Sequence, residues 1–179
     1  MFFKNRLPRL AQLYPVYAII VILVYGWTIY WSLWKLTSWL DFLPLGEIAA
    51  IYCYLLATNL LESLLALLGV VIVSLILPPK WFREVFVSRT SVLAAGVLIS
   101  FMVFESHFDK PADYFHMLPV YLLPIIFLAG ILAFLAGWIP IVRKAVETLA
   151  ENAVIFLYIS LPLGLLSLII VIGRNLFLG

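Results

Sequence analysis

The chain has 179 residues and a formal net charge of +2, and 66% of its residues are hydrophobic whereas only 11% are charged. Soluble domains carry about 25% charged residues, so this composition, with a mean hydropathy of +1.18, excludes a soluble globular protein. The small net charge and scattered basic residues exclude a nucleic-acid partner, and a single cysteine excludes an internal disulfide and a multi-thiolate metal site.

Long runs without Asp, Glu, Lys or Arg predict an all-α integral membrane protein, because a spanning helix needs roughly 20 mostly apolar residues. We predict that residues 1–179 form a single transmembrane domain, a bundle of five helices. Their predicted ranges, in chain order, are 14–34, 47–77, 90–104, 117–140 and 152–177. Residues 80–88 place aromatic and apolar side chains on one helical face and charged ones elsewhere. This pattern predicts a short helix at the membrane interface.

The basic residues are divided unevenly between the two sides that these helices define. Eight of the 11 fall on the side of the N-terminus: Lys4, Arg6, Arg9, Lys80, Arg83, Arg89, Arg143 and Lys144. The other side holds Lys35, Lys110 and Arg174. Because Lys and Arg accumulate in cytoplasmic segments, the N-terminus is predicted to be cytoplasmic and the C-terminus extracytoplasmic. We expect a multi-pass protein of the cytoplasmic or plasma membrane.

A single acidic residue, Glu62, interrupts the second predicted helix near its middle. An ionised carboxylate there costs on the order of 3 kcal/mol, so we expect Glu62 to be buried between helices. With Thr58 and Asn59, about one turn earlier, it forms a candidate intramembrane polar site. Glu62 is either a protonatable group in an ion or proton path, or a protonated carboxyl that holds helices or subunits together. The second interpretation is favoured because no predicted helix carries a basic residue at that depth.

The other concentration of polar side chains is the predicted outer loop between the third and fourth helices, residues 105–116. Its candidate metal ligands are Glu105, His107, Asp109, Asp113 and His116. Carboxylate and imidazole groups suit zinc or another divalent ion, but their spacing matches no compact metal motif. The expectation is a solvated acidic loop without a cofactor, with a divalent metal as the alternative.

Catalytic motifs such as GxSxG, HExxH or a P-loop do not occur in the sequence. The favoured hypothesis is therefore a non-catalytic membrane subunit or scaffold that packs against other membrane subunits, or against itself, in the lipid bilayer. A second hypothesis is a small proton- or ion-coupled transporter that uses Glu62. A third is a membrane enzyme that acts on a lipid or quinone at the outer leaflet through residues 105–116.

Overall fold

The computed structural model describes residues 8–76, 85–107 and 111–177, with the side chains of residues 111–116 left undescribed. These residues form helices and short connections, and none of them belongs to a strand. The six α-helices are α1 (Leu10–Phe42), α2 (Leu45–Ile76), α3 (Phe86–His107), α4 (Pro111–Trp138), α5 (Pro140–Ala153) and α6 (Leu157–Phe177). A 3-10 turn, Val154–Phe156, joins α5 to α6. The predicted all-α architecture is confirmed for these residues.

Within the described part of the chain, five segments are long and apolar enough to cross a membrane, as predicted. They are Leu10–Phe42, Leu45–Ile76, Phe86–His107, Met117–Trp138 and Pro140–Phe177, the last made of α5, the 3-10 turn and α6. The length and composition of these helices indicate a multi-pass membrane protein. The orientation of the two termini stays a prediction.

Helix α1 forms the centre of the bundle. Its residues between Pro15 and Val21 are all buried, and the core continues through Val24 and Tyr25 to side chains of α3, α5 and α6. α2 returns beside α1 after a short turn, and α6 packs along α2. Polar contacts fix the α1–α2 register, because the Tyr17 hydroxyl lies 3.2 Å from the Ser63 hydroxyl.

Small residues bring α3 and α4 close together. The buried positions of α4 include Ala129, Ala133 and Ala136, which share one helical face, whereas most of its larger side chains are exposed. At Gly96 of α3, an added Cβ would lie 2.6 Å from the Cβ of Ala129. The backbones therefore approach at a distance that only glycine permits, as is common between membrane helices.

Several predicted helix boundaries are wrong. The first helix extends to Phe42 instead of residue 34, and the third spans Phe86–His107 instead of 90–104. The charge-free runs mark how far apolar surface extends, but a helix satisfies its own backbone hydrogen bonds and continues past a charged side chain. The fourth helix begins at Pro111 rather than residue 117, since proline is compatible with the first turn of a helix.

The segment between the predicted fourth and fifth helices is also helical, because residues 140–153 form α5. Pro140 lies in the first turn of α5, so it begins this helix instead of ending the previous one. The predicted interfacial helix near 80–88 lies largely outside the described residues. Its last part, from Phe86 to Ser88, belongs to the first turn of α3.

Candidate functional site

A cleft of about 760 Å³ opens between α1, α2 and the end of α3. We call it the polar cleft. Its lining residues are Trp27, Thr28, Trp31, Ser32, Lys35 and Trp39 of α1, Ile51, Tyr54, Leu55, Thr58, Asn59 and Glu62 of α2, and Glu105 of α3. The cleft exists because α1 packs closely against both α2 and α3, whereas α2 and α3 barely touch each other.

The candidate polar site on α2 faces this cleft. Thr58, Asn59 and Glu62 all line it, as positions three and four apart on a helix share a face. The Glu62 side chain is exposed there, so the expectation that it is buried between helices is wrong. The reason is that α3 and α2 stay apart at this level, which leaves the carboxyl facing open space.

Two charged residues that the sequence interpretation assigned to helix ends lie in the same cleft as Glu62. Lys35 is inside α1, which continues for two more turns to Phe42, and Glu105 is in the last turn of α3. Glu105 and Glu62 thus line one cavity from two different helices. Lys35 is therefore a basic residue that lines the same cleft as Glu62, although it does not lie at the same depth.

These three ionisable groups do not neutralise one another directly. Among residues 8–76, 85–107 and 117–177, the ion pair within 4 Å is that of Arg143 and Glu147 on α5. Thr28 and Asn59 share a hydrogen bond across the helix pair and Glu62 lies one turn beyond Asn59, whereas Lys35 lies two turns from Thr28 in the opposite direction. The backbones of Lys35 and Glu62 are therefore separated by roughly 15 Å along α1.

The floor of the cleft is a buried hydrogen-bonded pair. The Thr28 hydroxyl donates to the Asn59 side-chain oxygen at 2.8 Å. Asn59 is only 2% exposed, and its amide nitrogen is buried without a hydrogen-bond partner. An unsatisfied buried N–H costs about 1–3 kcal/mol. The orphan donor next to the cleft is thus a group that a bound oxygen atom would satisfy.

The candidate metal residues of the outer loop are not all within the described structure. Glu105 and His107 are both in the last turn of α3, but they line different cavities, and His107 Nδ1 lies 2.9 Å from the Val103 carbonyl oxygen. Asp109 lies outside the described residues, as do the side chains of Asp113 and His116. Across the part of the chain that is described, no three His, Cys, Asp or Glu side chains could hold a metal ion together. The expected solvated loop without a metal therefore stays a prediction, as does its alternative, a divalent metal held by these residues.

Lys35 and Thr28 were not predicted to be site residues, and Glu105 was predicted only as a metal ligand of the outer loop. A signal existed for Lys35, because an apolar and aromatic run continues beyond it through Trp39 to Phe42, which favours a longer helix. For Glu105 and Thr28 the sequence holds no such signal, since it does not specify which helix faces are neighbours.

No protein-family model, curated protein or solved structure matches this chain.

Proposed function

We propose that this protein is a proton-coupled carrier of a small polar solute, with the polar cleft as its binding site and Glu62 as its coupling group. The observation that carries the proposal is the arrangement of Lys35, Glu62 and Glu105, which come from three helices and line one cleft without pairing. Ionisable groups are expensive inside membrane helices, and they typically mark substrate or ion pathways.

A purely structural role fits this arrangement less well. A carboxyl that only holds helices together is expected to be covered by its partner and hydrogen-bonded to it. Glu62 is instead exposed to the cleft, and Glu105 is exposed across from it. Groups that face open space remain free to bind and release a proton or a solute, which is what coupling requires.

The cleft can change its width at small packing cost, because α2 and α3 make little contact with each other. Places where the bundle can bend lie in helices that do not line the cleft. Pro119 and Pro124 lie inside α4, and Pro162 lies inside α6, where each removes one backbone hydrogen bond. The 3-10 turn between α5 and α6 packs against α1.

The test is proton movement across a membrane that contains only this protein. The purified chain is reconstituted into liposomes that enclose a pH-sensitive dye. An acid pulse is applied outside together with a mixture of small polar solutes, and a potassium diffusion potential balances the charge. We expect protein-dependent acidification, reduced at least tenfold by Glu62→Gln, because the amide keeps the size and polarity of the side chain but does not titrate at neutral pH.

The matched control is Glu47→Gln. Glu47 is an exposed carboxylate in the first turn of the same helix, outside the cleft, so its replacement should leave the flux unchanged. Equal flux through wild-type protein and Glu62→Gln, with both folded by circular dichroism, would contradict the coupling role. Solutes added inside or outside then identify the cargo by the change in proton flux they produce.

A second candidate is the non-catalytic subunit that packs against a partner helix. The observation in its favour is the apolar surface beside the cleft on α2, where Leu61, Leu64, Leu65 and Leu68 are all exposed. A partner helix lying there would cover Glu62. Native mass spectrometry of protein extracted from its own membrane separates the two candidates. A stoichiometric membrane partner, with no proton flux through the purified chain alone, would favour the subunit.

A further inference from the structure

The charges of the polar cleft are separated by sign along α1. Lys35 lies toward the α1–α2 turn, and Glu62 lies roughly 15 Å away along the helix axis at the opposite end of the cleft. Glu105 contributes a second carboxylate to the lining of the cleft. Asn59 lies between the level of Lys35 and that of Glu62, because α2 runs antiparallel to α1. The site thus has a cationic end, an acidic end and an amide between them.

We propose that the ligand of the cleft is a small zwitterion, whose ammonium group binds at Glu62 and Glu105 and whose phosphate or carboxylate group binds at Lys35. The inference rests on the proposed function and specifies the class of solute. A simple cation would leave Lys35 unpaired, and a simple anion would leave both carboxylates unpaired. A zwitterion compensates the charges at both ends of the cleft at once.

The Asn59 amide supports this assignment independently of the charges. Asn59 is 2% exposed and lines the cleft, and one of its two polar atoms is engaged by Thr28 while the amide nitrogen has no partner. The Asn59 amide nitrogen donates hydrogen bonds, so its missing partner is an acceptor such as a phosphate, carboxylate or carbonyl oxygen. The anionic part of a zwitterion held by Lys35 supplies oxygen atoms of this kind next to Asn59.

Aromatic rings line the same cleft and favour the ammonium part of the ligand. Trp27 and Trp31 pack edge to face with ring centroids 5.7 Å apart, and Trp39 and Tyr54 complete the aromatic lining. The face of an aromatic ring attracts a cation, and tryptophan does so most strongly.

Two sources can supply this chemistry. A free zwitterion can enter from the aqueous end of the cleft. A zwitterionic lipid can enter sideways, because α2 and α3 make little contact and leave a lateral opening beside exposed leucines of α2. Both sources present an ammonium and an acidic group joined by a short carbon chain, so the cleft recognises the same headgroup in either case.

The first experiment measures binding, separately from transport. The full chain in phosphatidylglycerol nanodiscs is titrated with phosphoethanolamine and β-alanine as zwitterions, with ethanolamine as the cation alone and with inorganic phosphate as the anion alone. Isothermal titration calorimetry gives each Kd. We expect at least one zwitterion to bind tenfold or more tightly than either single-charge probe. Equal affinity for ethanolamine, or no saturable zwitterion binding in any lipid, would overturn the proposal.

Variants then assign the two ends of the cleft. Lys35→Met and Glu105→Gln should each weaken zwitterion binding at least tenfold, and Lys35→Met should leave ethanolamine binding unchanged. The matched control is Lys144→Met, an exposed lysine of α5 outside the cleft, which should bind as the wild type does. Because the probes are also compared on the wild-type protein, a variant that fails to fold does not remove the test.

A second arm distinguishes the sources and separates this inference from the carrier function. If the headgroup belongs to a lipid, phosphatidylethanolamine in the nanodisc should compete with the free probes, and native mass spectra should retain one phosphatidylethanolamine molecule. If phosphatidylethanolamine does not compete with the free probes, the ligand is a free solute. Proton flux that depends on Glu62 without any zwitterion binding would refute the zwitterion and leave the carrier. Zwitterion binding without proton flux would keep the site and refute the carrier.

Discussion

The close contact between Gly96 of α3 and Ala129 of α4 leads to a quantitative prediction about stability. A Cβ at position 96 would lie 2.6 Å from the Ala129 Cβ, whereas ordinary contacts lie at 3.4–4 Å. Gly96→Ala therefore requires the two helices to move apart by roughly 1 Å, and overpacking of this kind costs about 1–3 kcal/mol. No side-chain rotation can relieve this clash, because the opposing atom is the Cβ of Ala129, whose position is fixed by the backbone.

The control for this substitution is Gly130→Ala, one residue beyond Ala129. A Cβ at Gly130 meets nothing within 4 Å, so this change adds only helix propensity, which favours alanine by at most about 1 kcal/mol. The free energies of unfolding of both variants are measured by titration with sodium dodecyl sulfate in mixed micelles, with circular dichroism as the signal. We expect Gly96→Ala to be less stable than Gly130→Ala by about 1–3 kcal/mol, the overpacking cost.

Exchanging the two small residues provides a stricter test. In the double variant Gly96→Ala, Ala129→Gly, the new Cβ faces a Cα at 3.5 Å, which is an ordinary contact. The double variant should therefore be more stable than the sum of the single effects by about 0.5–3 kcal/mol, the range for residues in contact. Additive single effects, or a Gly96→Ala protein as stable as Gly130→Ala, would refute close packing at this point.

Two other predictions concern the charged residues and the orientation of the bundle. The Arg89 guanidinium carbon lies 5.4 Å from the centre of the Phe134 ring, so Arg89→Met should lower the free energy of unfolding by about 0.5–2 kcal/mol. The exposed Arg174→Met should change it by less than about 0.5 kcal/mol, and equal effects would contradict the ring contact. For orientation, single cysteines replacing Lys4 and Gly179 in a Cys53→Ala background should react with an impermeant maleimide from opposite faces, Gly179 from outside. Labelling of both from one face would overturn the predicted topology.

The sequence predicts the helical spans well because length and apolar composition are local properties. The charge-free runs together cover most of every spanning segment, and the 32-residue length of α2 agrees closely with its predicted range of 47–77. Helix ends were less predictable. In residues 140–153 the charged side chains suggested a loop, although Ile141, Ala145 and Leu149 recur every four residues, as on one face of an amphipathic helix.

The candidate site could be predicted only in part, because its residues come from three helices that are far apart in the sequence. Glu62 is conspicuous because its own helix is apolar, and this can be read along one segment. Lys35 and Glu105 are each near the end of a charge-free run, where charged residues are usual. The aromatic residues beyond Lys35 favour a longer helix, but they do not show which helix Lys35 faces. What makes them part of a site is that α1, α2 and α3 meet at one level, which depends on the packing of residues far apart in sequence.

Unequal helix lengths explain why the polar cleft lies where it does. At 1.5 Å per residue, α1 and α2, with 33 and 32 residues, are each roughly 50 Å long, whereas α3, with 22 residues, is roughly 33 Å long. α6 stays beside α2 near the α1–α2 turn, where the Tyr54 hydroxyl donates to the Asn175 side-chain oxygen at 2.7 Å. On the other side α3 ends with Glu105 in its last turn, so the hairpin of α1 and α2 extends beyond it.

This geometry decides which charges need a partner within the protein. Arg89, near the start of α3, is half-buried where α3 packs closely against α4, and its guanidinium lies over an aromatic ring. Glu105, at the other end of the same helix, faces the space that the longer hairpin leaves open. A carboxylate in that position avoids the desolvation cost of a packed interior. The end of α3 is therefore the place in this bundle where ionisable groups can stay available to a ligand.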